Sequence, residues 1–528
     1  MSYLQLEFFV FLALVVAVYY ALPLRARPYV LFASSLAFLY FRSVYDLLFA
    51  VALCAIAWAG GMLLQKEKPA RASVPNSTSA PQQIHTSGRI SAPQQVTASG
   101  RISAPQRARV LLAVFLCALV GTLAVMKLTR VLAHFTGDTL SLIQPVGISY
   151  YSLSLIGYVL DVYYGRVEAA RNPAKFCLFA LWFPAVLQGP FSRYGTLSEQ
   201  LSSGHRFQYE SFCKGLQLIL YGLLKKMVVA DRIALYTTQV FGNINSYSGV
   251  QLLLGLILRS LHLYFDFSGC MEIAEGISEL FGVRLPANFR QPFFAQSAAE
   301  FWRRWHITLG EWFKDYVYYP VSGTQWCRSI KRYVYKRRGM AASNLCAMLI
   351  PLAIVWILTG LWHGTGLPYL LWGLYWFCLI GGSSVFGKQC KQLAKLLHIN
   401  MQAGSWKLFR MVRTFALFTI GRWISMDNGA AVFVRMIRVK QIGTLFDRSI
   451  ETIGWNRYDI LVVAAALLVQ LMIDLYKEKH PEESLRDIIG SCNLLVRWLI
   501  YDAAVLCVLL LGVYGFDYNV ADFVYMQF

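Results

Sequence analysis

Long uncharged segments dominate the pattern of this chain. They cover residues 8–24, 28–41, 47–65, 110–126, 139–160, 176–192, 233–258 and 339–387, and weaker apolar segments lie near 212–230, 260–281, 404–421, 460–473 and 488–516. A membrane-spanning helix needs roughly 20 apolar residues. The pattern therefore predicts an all-α, polytopic membrane protein with about 10–12 crossings. Strands of a porin-like barrel would alternate apolar and polar positions over ~10 residues, which these runs do not.

Composition supports the membrane prediction. Apolar residues make up 57% of the 528 residues and charged residues 15%, whereas soluble domains carry about 25% charge. The 11 cysteines occur singly, without a CxxC pair, so we expect neither a disulfide framework nor a metal site. No phosphate-binding glycine loop or dinucleotide fingerprint stands out. We expect membrane lipid around the protein and no nucleic-acid partner.

Basic residues predict the orientation, because short cytoplasmic loops carry an excess of Lys and Arg. Arg25 and Arg27 follow the first predicted span, and a larger group of basic residues follows the third, within 66–109. The chain carries no basic residue beyond Arg497. We therefore expect a multi-pass protein with both termini outside the cell and the 66–109 segment in the cytoplasm.

The 66–109 segment contains a twelve-residue repeat, which reads SAPQQIHTSGRI and then SAPQQVTASGRI. Such a sequence cannot bury enough apolar area to offset its chain entropy, so it predicts a disordered cytoplasmic linker. The linker divides the chain into N-terminal transmembrane helices (1–65) and a core (110–516), which a short tail (517–528) follows.

The segment 264–320 departs from the rest of the chain, with clustered acidic residues, then prolines, then an aromatic helix. Apolar side chains recur there every three or four positions, at Phe301, Trp305, Leu309, Trp312 and Tyr316. This spacing predicts one continuous amphipathic helix at the membrane interface. His306 lies beside the stripe, and periodicity alone leaves it either a polar-face histidine or a functional residue.

A second histidine interrupts the long uncharged run 339–387. His363 stands in LTGLWHGTGLP (358–368), where two glycines and a proline follow it within five residues. A continuous helix is disfavoured there, and irregular backbone at membrane depth must be buried in protein or line a cavity. An ionisable residue in such a place indicates a functional site, and histidine suits proton abstraction near neutral pH. An interfacial turn is the alternative.

Several segments together resemble the membrane-bound O-acyltransferase family, in its bacterial branch of alginate O-acetyltransferases and teichoic-acid D-alanyl transferases. The segments that carry the resemblance are YFDFSG (264–269), LPANFRQPF (285–293), EFWRRWHITLGEWFKDYVYYP (300–320), LTGLWHG (358–364) and LLWGLYW (370–376), with weaker support from FPAVLQGPFSRY (183–194) and FVYMQF (523–528). The tryptophan–histidine block and the LWHG block are specific in combination.

The resemblance implies a ring of membrane helices, with interfacial and re-entrant helices, around a central tunnel in the bacterial plasma membrane. His363 would be the catalytic histidine and His306 its partner in the tunnel. No cofactor would be bound. A cytoplasmic thioester, acetyl-CoA or alternatively a D-alanyl carrier protein, would supply the acyl group. The acceptor would be an exported cell-envelope polysaccharide, or teichoic acid for D-alanyl transfer, with an extracytoplasmic SGNH-type transferase or esterase as partner.

Two further groups of residues are candidates for the same reaction. Donor-binding candidates in the basic stretch 303–338 are Arg303, Arg304, Lys336, Arg337 and Arg338; the alternative is that this stretch only signals orientation. The tail ends in an F-x-Y-x-x-F pattern, and the resemblance implies that Tyr525 relays the acyl group. Aromatic anchoring at the membrane interface is the alternative for Tyr525.

Two other classes of function compete. A transporter or flippase is favoured by intramembrane acids such as Asp161, Asp266 and Asp474. Transporters, however, often carry paired broken helices in inverted repeats, and only one broken helix is evident here, at 358–368. A scaffold for an export complex gives no reason for a histidine among glycines at membrane depth.

Overall fold

The computed structural model describes residues 3–67, 105–136, 145–439 and 455–514. Within these ranges the α-helices are α1 Leu6–Ala21, α2 Arg27–Arg42, α3 Val44–Lys66, α4 Gln106–Thr136, α5 Ile148–Tyr164, α6 Pro173–Ala180, α7 Tyr194–Ser203, α8 Tyr209–Leu223, α9 Asp231–Gly242, α10 Gly249–Leu280, α11 Ala298–Arg304, α12 Ile307–Phe313, α13 Tyr319–Ser322, α14 Gln325–His363, α15 Leu367–Leu396, α16 Gly404–Ile424, α17 Gly429–Arg438, α18 Arg457–Lys479, α19 Leu485–Ser491 and α20 Leu494–Leu511. Two π-helical segments, Leu224–Ala230 and Lys314–Tyr318, continue α8 and α12.

The all-α, polytopic prediction is confirmed. Among the described residues, seven helices are long and apolar enough to cross a membrane: α3, α4, α10, α14, α15, α18 and α20. The sequence predicts about 10–12 crossings. The difference arises because several apolar segments form shorter helices; α1 and α2, for example, have 16 residues each, which is below the roughly 20 that span a bilayer without help from neighbours.

Close glycine packing fixes the long helix α10 against α8. A Cβ atom placed at Gly222 would lie 2.6 Å from the carbonyl oxygen of Gly269, and one at Gly276 would lie 2.6 Å from that of Gly215. Small residues allow two helix backbones to approach in this way inside a membrane. Helix α10 also carries Phe267, which contacts His306, and Met271, which contacts Asn288. The pairing of α8 with α10 therefore helps to position these contacts.

The predicted continuous helix through 301–316 is wrong. Helix α11 ends at Arg304, and α12 begins at Ile307. Between them Trp305 is extended and His306 adopts the left-handed conformation, with φ 48° and ψ 51°. The chain breaks because its backbone pairs with the preceding loop: Arg290 N–H donates to the Arg304 carbonyl at 2.9 Å, and Ile307 N–H donates to the Asn288 carbonyl at 3.0 Å.

The predicted apolar stripe nevertheless marks buried side chains. All five stripe residues, Phe301, Trp305, Leu309, Trp312 and Tyr316, are less than a tenth exposed. They pack inside the protein from α11, α12, the extended residue between them and the π-helical segment that follows, instead of facing lipid from one interfacial helix. The helical repeat correctly identified the buried side chains but not the end of the helix at Arg304. That end depends on backbone hydrogen bonds to the preceding loop, about which a repeat within 301–316 carries no information.

The other broken helix is confirmed. Helix α14 ends at His363, Gly364 is its C-cap, and α15 begins at Leu367. Toward its other end α14 contains a kink at Gly339, where φ of 78° is a conformation that favours glycine. The kink separates a basic stretch, Gln325–Arg338, from the apolar part of the helix.

The linker prediction is corrected at its edges. Helix α3 continues to Lys66 and α4 already begins at Gln106, so the ends of the 66–109 segment are helical because the flanking helices extend into it. The repeat itself, and the tail with Tyr525, lie outside the described residues.

Candidate active site

His306 is buried at the junction of α11 and α12, with 2% of its surface exposed. Its Nδ1 lies 3.2 Å from Oδ1 of Asn288. Phe267 of α10 meets the imidazole edge to face at 4.8 Å, and Phe191 stacks on it at 5.9 Å. His306 lies outside the candidate spans, and its burial lowers the pKa to about 3. The ring is therefore neutral near pH 7.

His363 is buried at the last turn of α14, in a cluster of tryptophans. Its ring lies 4.8 Å from Trp362 and 5.0 Å from Trp372, centroid to centroid. Trp302 of α11 packs against Trp372 at 5.6 Å and against Trp356 at 5.0 Å. Position 364 requires glycine because a Cβ there would overlap the Tyr369 ring.

Trp362 joins the two histidines. Its ring centroid lies 6.1 Å from that of His306 and 4.8 Å from that of His363. The indole Nε1–H donates to the Ser149 carbonyl at 3.3 Å, and Lys127 Nζ donates to the Trp362 carbonyl. The structure thus brings together the two histidines that the sequence analysis selected, 57 positions apart, around one fixed indole.

A cavity of about 270 Å³ approaches this centre from one side. Phe191 and Thr308 belong to its wall, and both contact the His306–Asn288 unit. Tyr158 belongs to the same wall, and its hydroxyl accepts a hydrogen bond from Ala170 N–H at 2.9 Å. Neighbouring Ala169 donates to the side chain of Gln65 at the end of α3. The cavity therefore lies at the face of the molecule where α3 ends.

A second, small cavity of about 20 Å³ lies against His363, and its wall includes Trp302, Trp372 and Arg422. It is large enough for one water molecule. The two cavities share no lining residue.

A charged cluster lines the larger cavity. Arg193 donates to Asp315 at 2.6 Å and lies 4.4 Å above the Tyr316 ring. The Tyr316 hydroxyl donates to Asp161 at 2.7 Å, and Arg166 pairs with the same carboxylate at 3.1 Å. Burial, together with the bond to Asp161, raises the pKa of Tyr316. Arg193 is the cation that this network presents to the cavity.

The predicted donor-binding residues lie elsewhere. Arg304 is held by Glu478 at 2.6 Å and by Glu300 at 2.8 Å, and these carboxylates raise the pKa of its guanidinium. Arg303 is exposed, and so are Lys336, Arg337 and Arg338 on the basic stretch of α14. None of the five lines the larger cavity, whose basic residues are Arg193 and Arg284. Their role in donor binding stays a prediction.

The sequence analysis did not single out two buried polar residues. Asn288 is 1% exposed and contacts His306; the segment LPANFRQPF (285–293) that contains it supported the resemblance, but no helical or strand repeat singled out this residue. Lys226 is buried in a π-helical segment and pairs with Asp266 at 2.6 Å and with Asp231 at 2.9 Å. Asp161 and Asp266, which favoured a transporter, are thus engaged in internal ion pairs.

Within the described ranges, no group of three or more His, Cys, Asp or Glu side chains is arranged to hold a metal ion.

Comparison with known proteins gives a family match for part of the chain. The family model of the membrane-bound O-acyltransferases matches residues 170–331. The match includes His306, Asn288 and Arg193, whereas His363 lies beyond its end.

Curated relatives extend the similarity. The chain is 32% identical over 295 residues to the "Probable alginate O-acetylase AlgI" of Pseudomonas syringae, which covers 55% of this chain and 51% of the relative. It is 31% identical over 268 residues to the peptidoglycan O-acetyltransferase of Helicobacter pylori, covering 46% and 47%. It is 29% identical over 254 residues to the teichoic acid D-alanyltransferase of Bacillus subtilis, covering 48% and 62%. The chain thus spans about half the length of the curated relatives that it matches.

Proposed function

We propose that the protein is a membrane-bound acyltransferase that moves an acyl group, first of all acetyl, from a cytoplasmic thioester to an acceptor outside the cell. The observation that carries the proposal is the pair of histidines around Trp362, next to the 270 Å³ cavity whose wall residue Phe191 contacts both His306 and Trp362. The family match and the relatives named for O-acetyl and D-alanyl transfer support the reaction class.

The proposed chemistry uses His363 as general base. Its imidazole takes the proton of the acceptor hydroxyl as the oxygen attacks the thioester carbonyl carbon. A C–O bond forms and the C–S bond breaks, and the departing thiolate takes up a proton from the imidazolium, so that the histidine is restored. A positioned base of this kind contributes typically 10²–10⁴-fold to a rate. The tryptophans around His363 exclude water, which would otherwise hydrolyse the thioester.

The larger cavity is the proposed donor channel. It lies where α3 ends, and the basic residues that follow this helix predict that this face is cytoplasmic. The channel combines an apolar wall, from Leu153 and Trp312, with the cation of Arg193. This lining suits the long arm of coenzyme A or of a carrier protein, whose amides and thioester enter while its phosphate stays near the rim. Acetyl-CoA is the first choice, and a D-alanyl carrier protein is the alternative.

The acceptor side involves partners that remain proposals. Tyr525 would reach the tunnel from outside, and its phenol would accept the acyl group as an aryl ester. Such an ester is reactive enough to pass the group on, and two steps replace one difficult transfer across the bilayer. A separate extracytoplasmic SGNH-type transferase would then acylate an exported polysaccharide.

Purified protein in detergent tests the reaction class and the donor together. Radiolabelled acetyl-CoA and a D-alanyl-loaded carrier protein are supplied separately, and label on the protein or on added polysaccharide is measured, along with release of the free thiol. Label from acetyl-CoA supports the first choice, and label only from the carrier thioester supports the alternative. The proposal would be contradicted if either donor bound without release of free thiol. It would also be contradicted if neither donor bound and no thiol was released.

A further inference from the structure

The hydrogen-bond geometry around Asn288 fixes which way its side-chain amide points. Oδ1 lies 3.1 Å from the backbone nitrogen of Thr308 and 2.9 Å from the Thr308 hydroxyl oxygen. A backbone N–H can only donate, so the Asn288 atom that faces it must be the oxygen. The Asn288 amide nitrogen points the other way, toward the sulfur of Met271 at 3.2 Å. With the amide reversed, two donors would face each other.

The Thr308 hydroxyl supports the same orientation. It accepts the backbone N–H of Phe191 at 3.0 Å, so its own proton is available for donation to Asn288. Both groups of Thr308 therefore donate to one oxygen. Thr308 is 3% exposed and Asn288 is 1% exposed, so bulk water does not compete for these bonds.

The orientation of the amide determines the protonation of His306. Nδ1 of His306 lies 3.2 Å from the same Asn288 oxygen. Because that oxygen accepts only, a neutral imidazole in this place must carry its proton on Nδ1, which leaves the lone pair on Nε2. The left-handed backbone of His306 and the bond from Ile307 N–H to the Asn288 carbonyl hold the ring against the amide.

We propose that Asn288 is a positioning residue, which holds His306 in the Nδ1-protonated tautomer and so makes Nε2 the basic atom that the ring presents to the reaction. The inference rests on the proposed function for its catalytic consequence, but the tautomer itself can be measured without activity. It also explains why an uncharged amide lies here. A carboxylate would hold the same proton, yet it would favour the charged imidazolium, which has no lone pair to offer.

Among the described residues, the rings that cover His306 are uncharged. Phe191 and Phe267 cover the ring from their two elements, and Trp362 covers it from α14. Among the ionisable groups, His363 interacts with His306, and His363 in turn interacts with Lys127 and Arg422. On α10 the neighbouring Asp266 is paired with Lys226. A change at Asn288 therefore acts on His306 most directly.

The first test reads the tautomer directly. Protein that is labelled with ¹⁵N-histidine is reconstituted in lipid and examined by solid-state NMR at pH 7, and the signals that disappear in His306→Gln are those of His306. We expect a protonated Nδ1 and an unprotonated Nε2. A proton on Nε2, or on both nitrogens, would overturn the proposal whether or not the protein is an acyltransferase.

The second test reads the consequence for thioester cleavage, with three variants. Asn288→Leu has nearly the same shape and no acceptor, and we expect kcat to fall at least tenfold while the KM for the donor changes little. Asn288→Asp restores the acceptor and raises the pKa of His306, so kcat should recover at pH 8–9 and fall again at pH 6. Ala287→Asp adds the same charge at an exposed neighbouring position and should keep the wild-type pH profile.

The outcomes separate the two proposals. A wild-type protein that cleaves no thioester contradicts the proposed function, and the NMR spectrum alone then decides whether Asn288 sets the tautomer. An active wild type with equal pH profiles for all variants contradicts the role of Asn288 alone. If Asn288→Leu does not fold, as judged by its elution from size-exclusion chromatography, the comparison of Asn288→Asp with Ala287→Asp decides.

Discussion

Replacing His363 by phenylalanine separates its chemistry from its packing. The imidazole contacts the rings of Trp362 and Trp372 at 4.8 and 5.0 Å. Each aromatic pair of this kind contributes about 0.5–1.5 kcal/mol beyond its buried area, so the two contacts together stabilise the fold by about 1–3 kcal/mol. Phenylalanine keeps both contacts and cannot take a proton, whereas alanine loses the contacts and the base.

The expected rates follow from the role of a general base. Losing such a base costs 10²–10⁴-fold in rate, or about 2.7–5.4 kcal/mol in the activation barrier at 1.36 kcal/mol per factor of ten. We expect His363→Phe to unfold near the wild-type temperature and to transfer acyl groups at least a hundredfold more slowly. His363→Ala should be equally slow and should unfold at a lower temperature.

The assay combines thiol release from the donor with thermal unfolding in the same detergent. A third variant, Trp372→Phe, keeps an aromatic ring beside His363 and serves as the matched control for altered packing. A well-folded His363→Phe whose kcat/KM stays within tenfold of the wild-type value would refute the assignment of His363 as the base.

Three further predictions concern the donor channel, the packing of α10 and the tail. Arg193→Gln should raise the KM for the donor about tenfold, an effect of about 1.4 kcal/mol, whereas Arg438→Gln, at an exposed position outside the cavity lining, should not; equal KM values for both variants would remove Arg193 from the channel. Gly222→Val should lower the unfolding temperature and the yield of folded protein, since its Cβ would meet the Gly269 carbonyl at 2.6 Å, whereas Gly242→Val has open space around it and should not. Tyr525→Phe should abolish transfer to polysaccharide while thiol release with an added small phenol continues; full acylation of the polymer by this variant would leave only the anchoring role of the tail.

Sequence reasoning reached the two candidate histidines through two different signals. His363 stood out because glycines and a proline interrupt an uncharged run, and the structure breaks the helix there. His306 was found through the block of residues around it, while the helical repeat gave the wrong local structure. The left-handed turn at His306 depends on backbone bonds to 288–290, and a repeat along one segment carries no information about such pairing.

The charged residues, too, could be predicted only in part from the sequence. Composition located the basic stretch 303–338, but charge alone could not separate exposed cations from those that line a cavity. Arg304 is used by Glu478 and Glu300, whereas Arg193, which is solitary in the sequence, reaches the cavity because Tyr316 and Asp315 hold it there. The packing of α5, the π-helical segment after α12 and the loop before α7 decides which cation faces the cavity. The sequence does not show this packing.

The central claim is that the two-histidine centre passes an acyl group from one face of the membrane to the other. The most direct measurement places the protein in sealed vesicles, with labelled acetyl-CoA on the side of the 66–109 segment and an impermeant hydroxyl acceptor on the opposite side. The account predicts label on the acceptor with wild-type protein and none with His363→Phe. Label that appears only on an acceptor on the same side as the donor, or equally with both proteins, would contradict it.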